Sequence, residues 1–220
     1  MIRFDNVSKT YHLRNFQKLV FADLNFRIEK GQSIGICGAN GAGKSTLMRL
    51  ISGVEQPTTG KVTRTMSTSW PIGYSSCFQS SLTGADNARF ISRIYNRDEQ
   101  ELIAFVEEFA QLGPYLHQPV HTYSAGMGAR LAFGISIAVD FECYLVDEVT
   151  GAGDERFRAK SEEALISRRD RATLIMISHD PGALKAYCTT GAVLYAGSLV
   201  FFDSVEEACE LHHWLQTRGV

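Results

Sequence analysis

The sequence lacks an excess of either charge. Its 220 residues carry 22 Lys and Arg against 24 Asp and Glu, a formal net charge of −2. No global basic surface is available to hold nucleic acid or anionic lipid by bulk electrostatics, so no nucleic-acid partner is expected. The chain also lacks any C-x-x-C pair. Its five cysteines, Cys37, Cys77, Cys143, Cys188 and Cys209, are odd in number and widely spaced, which argues against a disulfide framework or a zinc site and fits a reducing compartment. No charged-then-apolar leader opens the sequence. The longest strongly apolar run, Leu131 to Val139, falls well short of the ~20 residues needed to cross a bilayer. The expectation is a protein soluble by itself, with any membrane role supplied by a partner. Repeats, low-complexity tracts and long linkers are absent as well.

What is present is enough apolar content, 45%, to bury one substantial α/β core. Ile2 to Val7 and Leu24 to Ile28 alternate apolar and polar residues, as half-buried antiparallel strands do. Tyr144 to Val146 and Leu174 to Ile177 are continuous apolar runs, the pattern of parallel strands covered on both faces. These imply a central, mainly parallel sheet with an antiparallel β layer. From about residue 80 to 138 the spacing turns helical: Leu102, Phe105, Val106, Phe109 and Leu112 recur at threes and fours behind a capping pair, Asp98 and Glu101. Asp180-Pro181 opens another helix. Tyr195 to Ser198 reads as a hairpin turn, and Ser204 with Glu207 caps a final helix carrying Val205, Ala208, Leu211 and Leu215 on one face.

The strongest single motif is Gly38-Ala39-Asn40-Gly41-Ala42-Gly43-Lys44-Ser45-Thr46. It fits G-x-x-x-x-G-K-[ST], a loop whose glycines let main-chain N–H groups face phosphate oxygens and whose lysine reaches the β- and γ-phosphates. Ser45 would then hold Mg²⁺. Ser33 to Cys37 reads as a buried strand before it, and Ser45 to Ser52 as a helix ending at Gly53, which supplies the strand–loop–helix context the motif requires. A kinase, a GTPase and a transport ATPase all need such a cradle and a metal. Asp147-Glu148 at the end of an apolar strand narrows the choice. Asp147 can orient Mg²⁺ through its water shell, and Glu148 can polarise the water that attacks the γ-phosphate. Ser178-His179 also falls at the carboxyl end of a buried strand, where open α/β sheets bind ligands.

Further segments complete an order. Tyr123-Ser124-Ala125-Gly126-Met127 opens a helix, followed by Val146-Asp147-Glu148-Val149, Gly153-Asp154 and Ile177-Ser178-His179-Asp180. Over nearly its whole length the chain resembles the nucleotide-binding subunit of an ABC transporter. The resemblance implies one P-loop ABC-type ATPase domain over residues 1–220. A RecA-like lobe would take residues 1–79 and 139–220, with a helical subdomain at about 80–138. It also implies ATP and Mg²⁺ as cofactors and a head-to-tail homodimer that sandwiches two nucleotides. Gly38, Asn40, Gly41, Ala42, Gly43, Lys44, Ser45 and Thr46 would cradle the phosphates and Tyr11 would stack on adenine. Ser45, Gln79 and Asp147 would share the metal, His179 would hold the γ-phosphate, and Asp154 would communicate across the dimer. Ser124, Ala125 and Gly126 would touch the nucleotide held by the opposite subunit. A helix N-terminus with a serine is itself an anion site; the plainer alternatives are a helix N-cap for Ser124, a surface aromatic for Tyr11 and a helix-start residue for His179.

Two departures separate this sequence from the commonest family form. Ala125 and Met127 stand where Leu-Ser-Gly-Gly-Gln has glycine and glutamine, which implies slower hydrolysis, and the segment around Gln79 is Cys77-Phe78-Gln79-Ser80-Ser81-Leu82-Thr83-Gly84-Ala85-Asp86-Asn87. With Ala129 to Phe133, Phe157 and Lys160, these features resemble the subgroup that exports bacterial surface polysaccharides. A short chain of this kind is most similar to the ATPase of Gram-negative capsular polysaccharide exporters. That implies a peripheral position on the cytoplasmic face of the inner membrane, an integral permease subunit as partner, and further envelope export components. O-antigen, teichoic acid, lipid and drug exporters are the alternatives within transport. A soluble non-transport ABC-type ATPase would be expected to show two cassettes or a coiled-coil insertion. A guanine-reading Asn-Lys-x-Asp is absent. The region from Gln79 to Tyr95, with Arg89 and Phe90, is the expected docking site for the membrane subunit.

Overall fold

A computed structural model describes the chain except residues 13, 15, 73–77, 148–154 and 219–220. Two compact units emerge. One comprises Met1–Ser69, Glu142–Val149 and Arg168–Val220, the other Trp70–Phe141 and Thr150–Ser167.

The first unit is built on two sheets. β1 (Ile2–His12) lies between β2 (Gln17–Ile28) and β4 (Thr59–Arg64) in an antiparallel three-stranded sheet. Ile2, Phe4 and Val7 point into the core while Arg3 and Asn6 stay in water, the alternation of a strand with one wet face. β1 is therefore the central strand of its sheet. The second sheet runs β5 (Thr68–Pro71), β6 (Cys143–Asp147), β7 (Thr173–Ile177), β3 (Ser33–Gly38), β8 (Thr190–Tyr195), β9 (Ser198–Phe202). Its middle pairs are parallel and β8–β9 is an antiparallel hairpin. Every residue of β3 and β7 is buried. At the hairpin tip Ala196 and Gly197 both take positive φ, 47° and 79°, the conformation that matches strand twist in a two-residue turn.

α1 (Lys44–Ser52) follows β3 and stops where Gly53 adopts φ 82°, a left-handed cap that glycine enters without strain. Its Leu47, Met48, Leu50 and Ile51 join Ile34 and Ile36 of β3 and Phe4, Phe21 and Leu24 of the antiparallel layer in one core. α6 (Pro181–Tyr187) is capped by Asp180, whose carboxylate accepts from the Gly182 N–H at 2.8 Å. α7 (Val205–Thr217) is capped by Ser204, but the hydroxyl accepts from Glu206 and donates to its carboxylate. Glu207, the capping partner read from sequence, does not fill that role. The buried face of α7 is Val205, Ala208, Cys209 and His212, with Leu211 and Leu215 half-buried. The face is turned by one residue from the sequence reading because Cys209 and His212 complete the stripe that begins at Val205.

The second unit is helical. α2 (Gly84–Ile94) is followed by α3 (Glu99–Ala110), and two short 3-10 turns, Gly113–His117 and Val120–Thr122, lead from α3 to α4 (Ala125–Ala138). α3 starts at Asp98, whose side chain accepts from the Glu101 N–H. Phe109 stacks on Phe105 and Phe133, with ring centroids 5.6 and 5.7 Å apart. Most of α5 (Glu155–Arg169) packs with this unit. Phe157 sets its edge against Phe109 and Phe133, and Lys160 donates to the Glu108 and Phe109 carbonyls at the open end of α3. The sequence boundaries of 80–138 for the helical part did not include α5. No described helix is long and apolar enough to cross a membrane.

Candidate nucleotide site

The phosphate-type loop leaves the carboxyl end of β3. Gly41 and Gly43 hold φ of 80° and 107°, a region closed to most side chains. At Gly43 space is lacking too: a Cβ would lie 2.6 Å from Val20 Cγ1 and 2.9 Å from Phe21 Cε1. At Gly41 a Cβ would meet nothing within 4 Å. Gly38 is tight for another reason, since a Cβ there would approach the Leu194 carbonyl of β8 to 2.8 Å. The start of α1 has no capping side chain and no acidic residue in its first turn. Its N–H groups and the positive end of its dipole are left to an external anion. Asn40 and Ser45 are exposed, Ala42 and Lys44 half-buried and Thr46 buried. Lys44 Nζ donates to the Gly38 carbonyl at 2.6 Å and the Ala39 carbonyl at 3.0 Å, so the ammonium is folded over the loop that a phosphate would fill.

Parallel register aligns the neighbouring strand ends. Ile177 of β7 is opposite Ile36 of β3 and opposite Asp147 of β6. Gly38, Asp147 and the Ser178-His179 pair thus leave the sheet at one edge. Ser178 is buried and its hydroxyl accepts from the Asp180 N–H at 3.0 Å, while His179 is exposed. Glu148 and Asp154 lie outside the described residues. Cys37, just before the loop, is buried with its sulfur 3.9 Å from Cys209 Sγ. Burial, reinforced by Cys209, pushes its thiol up to about 12, and Cys143 is likewise pushed by burial to about 12. Both are inert core side chains at neutral pH.

Tyr11 is half-buried near the end of β1 and sits in a charged cluster that sequence reading missed. Its hydroxyl donates to Glu55 Oε2 at 2.8 Å and lies 3.4 Å from Thr46 Oγ1. Burial raises the Glu55 carboxyl, but hydrogen bonds from Lys9 and Tyr11 and the charges of Lys9 and Arg49 outweigh it and hold the group below its ordinary value. Glu55 lies 44 residues from Tyr11, in a turn whose composition carries no signal of the pairing.

In the second unit, Gln79 is exposed and its main chain is bonded to buried Asn87. The segment after it runs beside the approach to α4: Ser80 O accepts from His121 N at 2.8 Å, Leu82 O accepts from Val120 N at 2.9 Å, and Thr83 bridges Pro119. Ser124 is the N-cap of α4, its hydroxyl accepting from the Met127 N–H at 3.3 Å. Ser124 and Ala125 are exposed, and a Cβ on Gly126 would meet nothing within 4 Å. Packing within the chain therefore gives no reason for glycine at this helix start. Arg89 is engaged by Asp86 at 2.5 Å and Glu99 at 2.6 Å, whereas Phe90 is 59% exposed. Tyr11, the Gly38 to Thr46 loop, Asp147 and His179 thus share one unit, and Gln79 with Ser124 to Gly126 shares the other.

Residues 21–151 match the ABC transporter family. The chain belongs to the ABC transporter family. Among its ABC relatives, the capsule polysaccharide export ATP-binding protein CtrD of Neisseria meningitidis serogroup B is 52% identical, over 98% of this chain and 100% of that protein. The ATP-binding protein BexA of Haemophilus influenzae is 48% identical, with 98% and 100% covered. The polysialic acid transport ATP-binding protein KpsT of Escherichia coli is 40% identical, with 98% of each covered. An ATP-binding cassette solved as a dimer in a post-hydrolysis state with ADP and Pi superposes with a TM-score of 0.79, covering 92% of this chain and 98% of that one. At 20% identity, that likeness concerns the fold.

Proposed function

We propose that this chain is the ATP-hydrolysing subunit of an ABC exporter that drives capsular polysaccharide across the bacterial inner membrane. Full-length relatives at 52% and 40% identity, whose names specify capsule polysaccharide export and polysialic acid transport, support that substrate class. Teichoic acid export proteins, at 31 to 34% identity, are more distant. The observation that carries the mechanism is a pair of accessible helix starts, α1 without a capping side chain and α4 capped by the exposed Ser124. One, at α1, follows the phosphate loop. The other, at α4, exposes Ser124 and leaves Gly126 open, as expected if a phosphate reaches it from a second copy of the chain.

In this reading the main-chain N–H groups from Gly41 to Thr46 and the Lys44 ammonium hold the phosphates. Tyr11 stacks on adenine. Ser45, Asp147 and Gln79 are suited to Mg²⁺, which is held by few carboxylates together with substrate phosphates. Their fit rests on an exposed Ser45 hydroxyl at an α1 start whose first turn carries no acidic residue. When bound, the cation would draw charge from the phosphate oxygens and ease loss of the γ-phosphate. Glu148 takes the proton of the attacking water, His179 holds the γ-phosphate and Asp154 links the two halves of the dimer. Ser124, Ala125 and Gly126 close on the nucleotide of the opposite copy. Dimer closing and opening passes to an integral permease, which holds the chain at the cytoplasmic face and works with further envelope components. Unequal stability of the open and closed states under ATP and ADP makes the cycle possible.

Hydrolysis measured against protein concentration tests the composite site. A steep rise, lost in Glu148→Gln and sharply reduced in Ser124→Ala, is expected. Specific activity that is independent of concentration and indifferent to Ser124 would leave a self-contained P-loop enzyme and remove the transporter mechanism.

A further inference from the structure

The Tyr11 side chain is fixed on three sides. Its hydroxyl donates to Glu55 Oε2 at 2.8 Å and accepts from Arg49 Nη2 at 3.3 Å. Lys9, two residues earlier and so on the same face of β1, places Nζ 5.1 Å from the Tyr11 ring centroid. That ammonium also bonds Glu55 Oε1 at 2.8 Å and the Gln56 carbonyl at 2.8 Å. Arg49 reaches Glu55 Oε2 at 3.4 Å. Lys9 and Glu55 are only 12% and 22% exposed, where water weakens such contacts less than on an open surface.

We propose that Glu55 is a positioning residue for the nucleobase: with Lys9 and Arg49 it fixes the Tyr11 ring on which the base stacks. The inference rests on the reading of Tyr11 as the adenine platform. An untethered tyrosine on a strand end must surrender side-chain freedom when a base stacks on it, and that entropy cost weakens binding. Here the freedom is already gone. The Tyr11 hydroxyl also lies 3.4 Å from Thr46 Oγ1, and Arg49 Nη2 lies 3.5 Å from the same atom. Base platform and phosphate loop therefore share one hydrogen-bonded unit, which sets the spacing between base and phosphates.

The test compares binding of ATP with binding of inorganic tripolyphosphate, which has no base, by titration calorimetry on the full chain. Tyr11→Ala should weaken ATP and leave tripolyphosphate unchanged. Glu55→Ala and Tyr11→Phe should each weaken ATP by about three- to tenfold, the range expected for one hydrogen bond. Neither should affect tripolyphosphate, and the double variant should be no worse than either alone. Glu55→Gln, which retains an acceptor oxygen, should recover most of the loss. If Tyr11→Ala weakens both ligands alike, the stacking reading itself falls. If Tyr11→Ala discriminates but Glu55→Ala leaves ATP binding intact or weakens both ligands equally, Glu55 is only a structural clamp. Should Glu55→Ala fail to fold, Tyr11→Phe decides: wild-type ATP affinity in that variant overturns the proposal.

Discussion

Asn87 grips Gln79 by both of its main-chain polar groups, Oδ1 accepting from the N–H at 2.9 Å and Nδ2 donating to the carbonyl at 3.1 Å. Nδ2 also donates to the Thr83 carbonyl at 2.9 Å, and the side chain is buried. The main chain of Gln79, a residue proposed for the metal site, is thereby anchored to α2. Asn87→Ala deletes all three bonds and should cost about 1–3 kcal/mol, the usual penalty when buried polar groups lose partners. Asn87→Asp should cost more, because it sets a carboxyl oxygen against two carbonyls in a buried site. Urea denaturation of the two variants checks the order. If Gln79 contributes to the metal site, both should also need more Mg²⁺ for half-maximal hydrolysis; an unchanged Mg²⁺ requirement would detach Asn87 from that function.

Gly41 and Gly43 look alike in sequence and differ in the structure. Both hold positive φ, which costs roughly 1–2 kcal/mol for an ordinary residue. Gly41→Ala adds a methyl in open space and should lower stability by no more than that strain, with the larger effect on nucleotide binding. Gly43→Ala also drives a methyl into Val20 and Phe21. Overpacking adds about 1–3 kcal/mol, so this variant should melt well below Gly41→Ala. Equal melting temperatures would show that the β2 side chains yield without strain.

The phosphate loop was legible because its chemistry is local: glycines, a lysine and a hydroxyl residue within nine positions, between a buried strand and a helix that ends at glycine. The parallel strands were legible because burial on both faces leaves only apolar side chains from Leu174 to Ile177 and from Tyr144 to Val146. Glu55 was not legible, since its bond to Tyr11 depends on β1 passing the turn after α1, 44 residues away. Asn87 stood in plain view beside Asp86, yet which backbone it would bind depended on the path of residues 79–83. The α7 face was misjudged by one residue because a cysteine and a histidine supplied burial that an aliphatic count overlooks. Membership of α5 in the helical unit depended on Phe157 meeting Phe109 and Phe133, a tertiary choice that periodicity does not encode.

Arg89 and Phe90, adjacent on α2 and both candidates for permease docking, should behave differently. Arg89 is held between Asp86 and Glu99, and the Glu99 hydrogen bond raises its already basic guanidinium further. Arg89→Ala should therefore lower the melting temperature through the α2–α3 contact. Phe90 makes no comparable commitment, being mostly exposed beside Ile94, which is 56% exposed one turn on. Phe90→Ser should leave the melting temperature and ATP binding unchanged while reducing export in cells. Unimpaired export would move the docking surface away from this face of α2.

Acid should loosen both units, and the direction follows from four carboxylates. The Lys30 hydrogen bond at 2.7 Å, aided by the Ser67 N–H, holds Glu142 below its ordinary value. Hydrogen bonding from Arg89 does the same for Glu99, as the Thr83 hydroxyl does for Asp86. At Glu55 the opposing effect of burial is outweighed by Lys9 and Tyr11. In each case the folded state prefers the carboxylate, so the unfolded chain takes up protons first as pH falls. The contribution is complete above the unfolded values and is lost on acidification through them toward the lower folded ones. The melting temperature should consequently hold steady near neutrality and drop below about pH 5. Glu142→Gln should melt lower than wild type at pH 7, and the gap should narrow as pH falls below the ordinary carboxylate range, because protonation progressively removes from the wild type the charge the variant never had. A gap between the two proteins that stays constant from pH 7 to pH 3.5 would mean that packing, rather than the charge on Glu142, carries its contribution.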